Sequence, residues 1–279
     1  MIKTYRAKAF IAMSTISLLM LCAFAPAAYA DHPMGIKHDK VLRVAFGVER
    51  PPFVFEDHES GLEIDLIRAI THHMGYQIKP IFVPNARGYR ALKNHEVDIY
   101  TIASKEMAAD FALSAPYIAF DNVIIARADN PTPINSFADL KGSRLAAFHN
   151  AHAYIKALGA VKDELSFYVE TPNQSTQVLL LYKNRVDYLF CDKIIFEYYR
   201  DRAFEQRTIP KDGFDYKIHR IRAPTYYSSA FNDVALRDQY NVAFKAIIDN
   251  GKFESIMRQY DPSFSMLTSP LADFAKALD

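Results

Sequence analysis

Cysteine is scarce in this chain. Cys22 and Cys191 are the two cysteines among 279 residues, and Cys22 lies in an N-terminal segment that we predict to be removed. The one remaining cysteine cannot form an intramolecular disulfide, so we expect the fold to depend on its hydrophobic core. Half of the residues are apolar, which is enough for such a core. Because Cys191 lies in an apolar run, we predict a buried residue there and not a nucleophile.

An excess of either charge is also lacking. The chain carries 33 basic and 32 acidic residues, and residues 1–30 hold three of the basic residues and no acidic one. Removing those three leaves 30 basic against 32 acidic residues, a net charge of −2. This balance predicts no strongly basic surface, which argues against binding to nucleic acid or to an anionic membrane.

Common catalytic and metal-binding motifs are absent as well. The chain has no G-x-S-x-G, H-E-x-x-H, C-x-x-C or P-loop motif. His149 and His152 form an H-x-x-H pair, but two histidines without a third ligand nearby are a weak indication of a metal site. We therefore predict neither a metal nor a cofactor.

A long apolar run occurs at the N-terminus. Lys3, Arg6 and Lys8 precede an apolar stretch over residues 9–25, and the tripeptide at 28–30 has a small-x-small pattern. These features are typical of a signal peptide, here cleaved after residue 30, and predict export to the periplasm without membrane insertion after cleavage. The run is short for an uncleaved transmembrane anchor. We predict a flexible arm for residues 31–40.

From Val41 onward, strand-like apolar runs alternate with segments of helical periodicity. Residues 41–46 read as a strand, which Pro51 and Pro52 end because proline cannot donate to a ladder. Further strands are predicted at 77–83, 97–102, 121–128, 144–148, 186–191, 216–222 and 226–231, and helices at 62–75, 87–94, from about 153, 174–183, 193–203, 236–249 and 252–260. The alternation predicts an α/β fold of parallel sheets with helices on both faces. Ligands bind such sheets beyond the carboxyl ends of the strands, so residues 49–55 are the first candidate position.

Seven motifs occur in an order typical of one protein family. They are LRVAFGVERPPFVF, GLEIDL, EVDIYT, FALSAPY, FADLKGSRLAAFHNAHAYI, NRVDYLFCD and IIDNGKFESIMRQY. Together, over about residues 41–262, they resemble extracytoplasmic solute-binding proteins of family 3, the class that includes periplasmic amino-acid-binding proteins. The resemblance implies a two-lobed, periplasmic-binding-protein type II-like fold. Each lobe would be a mostly parallel sheet flanked by helices, and two hinge strands would let the lobes close on a ligand. Lobe 1 would comprise residues 41–120 and 229–279, and lobe 2 residues 121–228.

The resemblance also implies a ligand site between the lobes. Asp192 takes the position of the carboxylate that holds a ligand ammonium group in the family. An aspartate directly before a helix is also a typical N-cap, and the two roles are compatible. Residues 150–152 take the position of backbone amides that bind a ligand carboxylate, since free N–H groups at a helix start favour an anion.

One family feature is missing from this chain. Amino-acid binders of the family grip the α-carboxylate with an arginine, but residues 101–117 contain none, and Met107 stands at about its place. Arg50 replaces the aromatic residue of the proline loop, and Asn85 replaces the aromatic that stacks on the ligand. Arg87 matches the arginine of a P-W-x-R pattern in some relatives. We predict that Arg50 and Arg87 supply the missing positive charge, with a solvated surface arginine as the alternative at each position.

The sequence thus predicts a two-lobed protein that binds a small polar solute, one bearing a carboxylate or another anionic group, for ABC-type uptake. We expect a monomer whose partner is a transporter permease or a membrane receptor. The predicted ligand-binding residues are Arg50, Phe53, Asn85, Arg87, Ser104, Phe148, Asn150, His152 and Asp192, although both phenylalanines fit a core position equally well.

Two alternatives stay open at this point. The first is a periplasmic enzyme on the same scaffold, which would resemble the cyclohexadienyl dehydratases and use Glu49, Asp192 or His152 as an acid. The second is a ligand-sensing adaptor that docks on a membrane receptor. Cleft carboxylates serve binding and catalysis equally well. The sequence also contains no motif that identifies the surface bound by a partner.

Overall fold

The computed structural model describes residues 40–55, 57, 59–210, 214–266, 269 and 271–276. The predicted signal peptide and all of the predicted arm except Lys40 lie outside the described residues. The strands are β1 (Lys40–Phe46), β2 (Tyr76–Phe82), β3 (Ile99–Ala103), β4 (Ala112–Leu113), β5 (Ile118–Phe120), β6 (Asn122–Arg127), β7 (Arg144–Phe148), β8 (Phe167–Thr171), β9 (Tyr188–Asp192), β10 (Tyr216–His219) and β11 (Thr225–Phe231).

The α-helices alternate with these strands over much of the chain. They are α1 (Leu62–His73), α2 (Asn85–Lys93), α3 (Ala151–Tyr154), α4 (Lys156–Val161), α5 (Gln174–Tyr182), α6 (Lys193–Glu205), α7 (Val234–Asp249), α8 (Lys252–Tyr260) and α9 (Leu271–Lys276), with short 3-10 helices at Lys105–Ala109, Phe137–Leu140 and Lys162–Glu164. None of the described helices is long and apolar enough to span a bilayer.

The first sheet has six strands in the order β2-β1-β3-β11-β4, with β5 paired to β11 beside them. β1 runs parallel to β2 and β3, whereas β11 runs antiparallel to β3, β4 and β5. Helices α1, α2, α7 and α8 pack around this sheet, and their apolar faces share one core with it. We call this sheet and these helices lobe 1.

The second sheet has five strands in the order β10-β6-β9-β7-β8. β7 runs parallel to β8 and β9, and β6 runs antiparallel to β9 and β10. Separate apolar clusters cover its two faces. One contains Leu181 and Phe196 of α5 and α6, and the other contains Leu158 of α4. We call this sheet with α3–α6 lobe 2.

Both sheets are mixed, whereas the sequence predicted mostly parallel sheets. The chain crosses from lobe 1 to lobe 2 between β5 and β6 and returns between β10 and β11. The two crossing segments pair with each other, Phe120 opposite Thr225 and Ile118 opposite Tyr227. β6 and β11, the strands entered at each crossing, run antiparallel to their neighbours. A pattern of strands and helices carries no information on strand direction, which depends on the edge at which the chain enters a sheet.

The strand β8 is absent from the sequence prediction. It follows a short 3-10 helix and forms the edge of the second sheet beside β7. None of its residues is fully buried, and its sequence lacks the continuous apolar run that marks a central strand. Its place matters for the site, because its last residues lie at the same sheet edge as the ends of β7 and β9.

Candidate functional site

A cavity of about 960 Å³ lies between elements of the two lobes. Lobe 1 contributes the loop after β1, with Glu49, Arg50 and Phe55, and lobe 2 contributes residues 172–175 and the inner face of α6. The ring of Phe55 approaches Tyr198 of α6, with centroids 5.6 Å apart. The cavity therefore lies where the sequence argument placed it, beyond the carboxyl ends of the parallel strands.

The loop after β1 is held by the start of α1. The backbone N–H of Leu62 donates to the carbonyl of Pro52 at 2.9 Å, and that of Glu63 donates to Phe53 at 3.1 Å. Gly61 just before the helix has a φ of 134°, a value that glycine adopts far more readily than any other residue. These contacts use N–H groups that a helix start leaves free, and they hold Arg50 at the cleft.

Arg50 lies at the back of the cleft against aromatic rings. Its guanidinium carbon is 4.3 Å from the centroid of Phe120 and 5.5 Å from that of Phe53, and Nη2 lies 3.4 Å from Glu63 Oε2. Nε is buried and has no hydrogen-bond partner among the described residues. The guanidinium thus lies against both rings, and one of its N–H donors has no partner in the described part of the protein.

Glu63 balances part of the Arg50 charge. Its side chain has no exposed surface, and Thr101 Oγ1 donates a hydrogen bond to its Oε1. Burial raises the pKa of Glu63, while Arg50 and the Thr101 hydrogen bond oppose that increase. Arg50 alone therefore offers a ligand less than a full positive charge.

Asp192 ends β9 on the lobe 2 side. Its Oδ1 accepts hydrogen bonds from the N–H groups of Ile194 and Ile195, at 3.0 and 3.2 Å, so the residue is the N-cap of α6. Oδ2 is buried and has no partner among the described residues.

The Asp192 carboxyl is electrostatically linked to both lobes. Burial raises its pKa to about 7, and the nearby charge of Asp121 also raises it. The Ile195 N–H bond and the charge of Arg50 act in the opposite direction. Arg50 belongs to lobe 1, so a charge of the other lobe contributes to the pKa of this carboxyl.

The amides of the loop after β7 are already occupied. The N–H groups of Asn150 and His152 donate to the carboxylate of Glu170 on β8, at 2.8 and 2.9 Å. Tyr168 Oη donates to the same carboxylate at 2.6 Å, and His152 Nδ1 lies 2.7 Å from it. These hydrogen bonds outweigh partial burial and lower the pKa of Glu170 to about 2. Asn150 has a φ of 62°, a left-handed conformation that asparagine tolerates better than most residues.

In this arrangement the N–H groups of Asn150 and His152, which were predicted to bind a ligand carboxylate, have another partner. The resemblance assigned their amides to a ligand carboxylate, but an internal carboxylate takes both N–H groups. Sequence reasoning missed Glu170 because it lies 18 and 20 residues from its partners on a strand that was not predicted. The tetrapeptide FYVE, with alternating side chains, was the available signal.

The predicted residues other than Arg50, including Asp192, Asn150 and His152, lie outside the cavity lining. Phe53 is fully buried in the lobe 1 core, and Phe148 packs half-buried against Phe190 with centroids 5.6 Å apart. Asn85 and Arg87 are exposed at the start of α2, while half-buried Ser104 follows β3. Arg50 is thus the predicted residue that lines the cavity, with Asp192 linked to it electrostatically.

Cys191 is buried, as its apolar neighbours predict, and Met107 packs against the lobe 1 core. Met107 is half-buried against the lobe 1 core, and a thioether supplies no charge for a carboxylate. Cys191 is buried with 1% of its surface exposed, and burial raises the pKa of its thiol well above the ordinary value. A reactive thiolate is disfavoured at such a position. Among the described residues, no cluster of histidine, cysteine and carboxylate side chains has the arrangement of a metal site.

Comparison with known sequences identifies one matching family, described as bacterial extracellular solute-binding proteins, family 3, over residues 42–263. A search of curated proteins finds no match.

Comparison with solved structures finds proteins of the same fold at low sequence identity. A polar amino acid ABC uptake transporter substrate binding protein from Streptococcus thermophilus is 18% identical with a TM-score of 0.62, covering 85% of this chain and 90% of that one. A substrate binding protein from Streptococcus pneumoniae with bound histidine is 19% identical (TM-score 0.59; 80% and 93% covered). A histidine kinase sensor domain similar to periplasmic binding proteins is 22% identical (TM-score 0.59; 79% and 96% covered).

Proposed function

Because this chain belongs to the bacterial extracellular solute-binding proteins of family 3, with residues 42–263 matching the family, we propose that it holds a small polar solute between its lobes for ABC-type uptake. The observation that carries the proposal is the pair formed by Arg50 and Asp192. They come from different lobes, act on each other electrostatically, and each has a buried polar atom without a described partner. Buried polar groups are nearly always hydrogen-bonded, so a solute that bonds both atoms stabilises the closed arrangement.

The two ends of the cleft favour different solute groups. Asp192 accepts a hydrogen bond at Oδ2 and suits an ammonium or hydroxyl group. Arg50 donates from an arginine fork and suits the carboxylate that the sequence predicts for the solute. Glu170 occupies the loop amides, and Met107 replaces the family arginine. The carboxylate of the solute therefore binds at a different place from that of the ligand in the amino-acid binders of the family.

The crossing strands supply a simple mechanism for capture. β5 and the first three residues of β11 join the lobes, and small backbone changes there let one lobe rotate against the other. Closure brings Asp192 toward Arg50 and buries the solute. Phe55 and Tyr198, which already meet across the cleft, form part of its rim. A closed form of this kind is what a transporter permease would recognise.

A thermal-shift screen of amino acids, dicarboxylates, polyamines and sugars tests the proposal. A solute that binds only the folded protein raises the melting temperature by mass action. Asp192→Asn removes the charge but keeps a good N-cap, and it should abolish most of the shift for the best solute. Asp163→Asn, an exposed aspartate of lobe 2, is the matched control and should leave the shift unchanged. An equal shift in all three proteins contradicts the proposed role of Asp192.

The dehydratase-like alternative retains one supporting observation. With a pKa of about 7, the Asp192 carboxyl is partly protonated at neutral pH, as a general acid requires. Incubation with prephenate or arogenate, followed by detection of an aromatic product, decides between the two activities. Turnover that Asp192→Asn abolishes would establish the enzyme, and absence of product supports binding alone. A pull-down from membranes separates a transporter partner from a receptor.

A further inference from the structure

Two aromatic side chains of the crossing strands lie beside Arg50, and we call this pair of rings the hinge wall. The ring of Tyr227 on β11 lies 5.3 Å from the ring of Phe120 on β5, and Arg50 stacks on that same Phe120 ring at 4.3 Å. Tyr227 is half-buried. The wall therefore carries one guanidinium group beside a phenol, at the place where the two lobes are joined.

A second guanidinium group reaches this wall from the connection between β10 and β11. Arg222 Nη2 donates to Thr225 Oγ1 at 3.3 Å. Thr225 and Tyr227 are two residues apart on β11, so their side chains project from the same face of the strand. Nη1 of Arg222 is buried and has no partner among the described residues. No sequence motif marked Arg222 or Tyr227 as a site residue.

Charged and polar groups of both lobes affect the Tyr227 phenol. Burial raises the pKa of Tyr227, and the charges of Arg50 and Arg222 both lower it. Glu106, which follows β3 in lobe 1, and Tyr154, which follows β7 in lobe 2, act on it as well. Both lie in segments that follow parallel strands at their carboxyl ends, one in each lobe.

We propose that Arg50 and Arg222 form an anion subsite at the back of the cleft, beside Tyr227, that takes a carboxylate group of the solute. Each guanidinium has one buried N–H without a described partner, and two such groups suit the two oxygens of a carboxylate. Glu63 offsets part of the Arg50 charge, so the second arginine restores a net positive charge at this point. The subsite also explains how the chain dispenses with both anion-binding features of the family, the arginine replaced by Met107 and the loop amides filled by Glu170.

This inference deepens the proposed function and rests on it. A solute spanning the site would place its donor group at Asp192 and its carboxylate at the hinge wall. The site therefore selects solutes by length, because the donor group must reach Asp192 while the carboxylate reaches the hinge wall. It also makes ligand binding a direct contact with the crossing strands, the part of the chain that moves on closure.

Acetate is a suitable probe, because it carries the proposed group and nothing else. We expect acetate, exchanged for chloride at constant ionic strength, to raise the melting temperature of the wild-type protein in a saturable manner. Arg222→Gln should weaken this response at least about tenfold, since a charge-assisted hydrogen bond is lost. Arg185→Gln is the matched control. It removes an exposed arginine before β9, at the opposite end of the strand from Asp192, and should respond like the wild type.

Three results would overturn the subsite: no acetate response in the wild type, an unchanged response in Arg222→Gln, or an equal loss in Arg185→Gln. If Arg222→Gln fails to fold, the guanidinium Nε–H resonances of the wild type take its place. Signals of Arg50 and Arg222 should move together on acetate titration, and movement of neither contradicts the inference. The solute screen with Asp192→Asn is independent of acetate, so a failure of the proposed function and a failure of the subsite give different results.

Discussion

At the scale of single residues, the two oxygens of Asp192 differ: one caps a helix, and the other is the one that we propose for solute binding. Oδ1 caps α6 and Oδ2 has no partner among the described residues. A cap residue is held rigidly, because the backbone N–H groups that it accepts belong to the first turn of the helix. The same bonds that begin the helix therefore hold the second oxygen in position for a solute.

The raised pKa of Asp192 predicts a pH dependence of stability. Its carboxyl has a pKa of about 7 when folded against an ordinary value of 3.8, so between these values the folded protein keeps a proton that the unfolded chain loses. The free energy of unfolding should therefore fall as pH rises from about 4 to 7, by at most about 1.4 kcal/mol per pH unit from this group. Urea titrations at several pH values should show this slope in the wild type and a flatter one in Asp192→Asn. An identical slope in both proteins would refute the assignment.

The lowered pKa of Glu170 predicts the opposite pH dependence of stability, in a more acidic range. Its pKa is lowered to about 2 from 4.5, so its stabilisation is present above about pH 4.5 and is lost as pH falls toward 2. Glu170→Gln removes the charge that four donor groups share. We expect it to lower the free energy of unfolding at pH 7 by about 1–3 kcal/mol, and Tyr168→Phe by about 1 kcal/mol.

The control for Glu170 is another glutamate of lobe 2. Glu164 is half-exposed and pairs with Lys141 at 2.7 Å, so Glu164→Gln should change stability by less than about 0.5 kcal/mol. If the two glutamine variants are equally stable in urea titrations, Glu170 does not hold the loop after β7 as proposed.

At the scale of elements, the start of α1 positions the loop that carries Arg50. Gly61 combines a φ of 134° with close approach to the Phe53 carbonyl, which an added Cβ would overlap. Gly251 before α8 also has a positive φ, 76°, but an added Cβ there meets no atom within 4 Å. A comparison of alanine substitutions at the two glycines therefore distinguishes the free-energy cost of the backbone conformation from that of steric overlap.

Alanine substitutions at these glycines should differ in effect. Gly251→Ala should lower the free energy of unfolding by about 1 kcal/mol, the usual cost of a left-handed alanine. Gly61→Ala should cost more than about 3 kcal/mol, because backbone atoms must move as well. It should also weaken solute binding through displacement of Arg50. Equal costs in chemical denaturation would mean that the loop accommodates the methyl group.

At the scale of the whole described unit, contacts other than the crossing strands also join the lobes. Lys193 at the start of α6 lies 3.4 Å from Asp261, just after α8, and 3.1 Å from Glu197. The Phe55 and Tyr198 rings meet on the same side of the cleft. These contacts favour the closed arrangement, and the Lys193 and Asp261 side chains are only 16% and 15% exposed.

Lys193→Met tests this connection. Loss of the charge leaves Asp261 without the ion pair across the cleft, so the unliganded protein should populate more open forms, with a larger radius of gyration in small-angle X-ray scattering. Affinity for the best solute of the screen should fall several-fold, because the binding-competent population falls. Lys141→Met, which breaks an ion pair within lobe 2, should change neither measurement. Equal scattering of the two variants would show that the ion pair does not restrain the lobes.

The sequence by itself determined the family, the α/β class and most elements. Seven motifs in order were sufficient for the first, and α8 and β7 have the predicted bounds because their apolar periodicity and flanking residues are local signals. The N-cap role of Asp192 was also predictable, since a cap is defined within a few residues; its role in solute binding stays a prediction. The burial of Cys191 followed from its apolar neighbours.

The tertiary structure alone decided strand direction and the chemistry of the cleft. Glu170 meets amides 18 and 20 residues away, and Arg50 reaches a wall built by β5 and β11, distant in sequence. Such meetings depend on which edges the strands join and how the helices pack over them. The periodicity of a sequence does not specify this packing, because local propensity and hydrophobic pattern describe one element at a time. A binding site, in contrast, forms where several elements end.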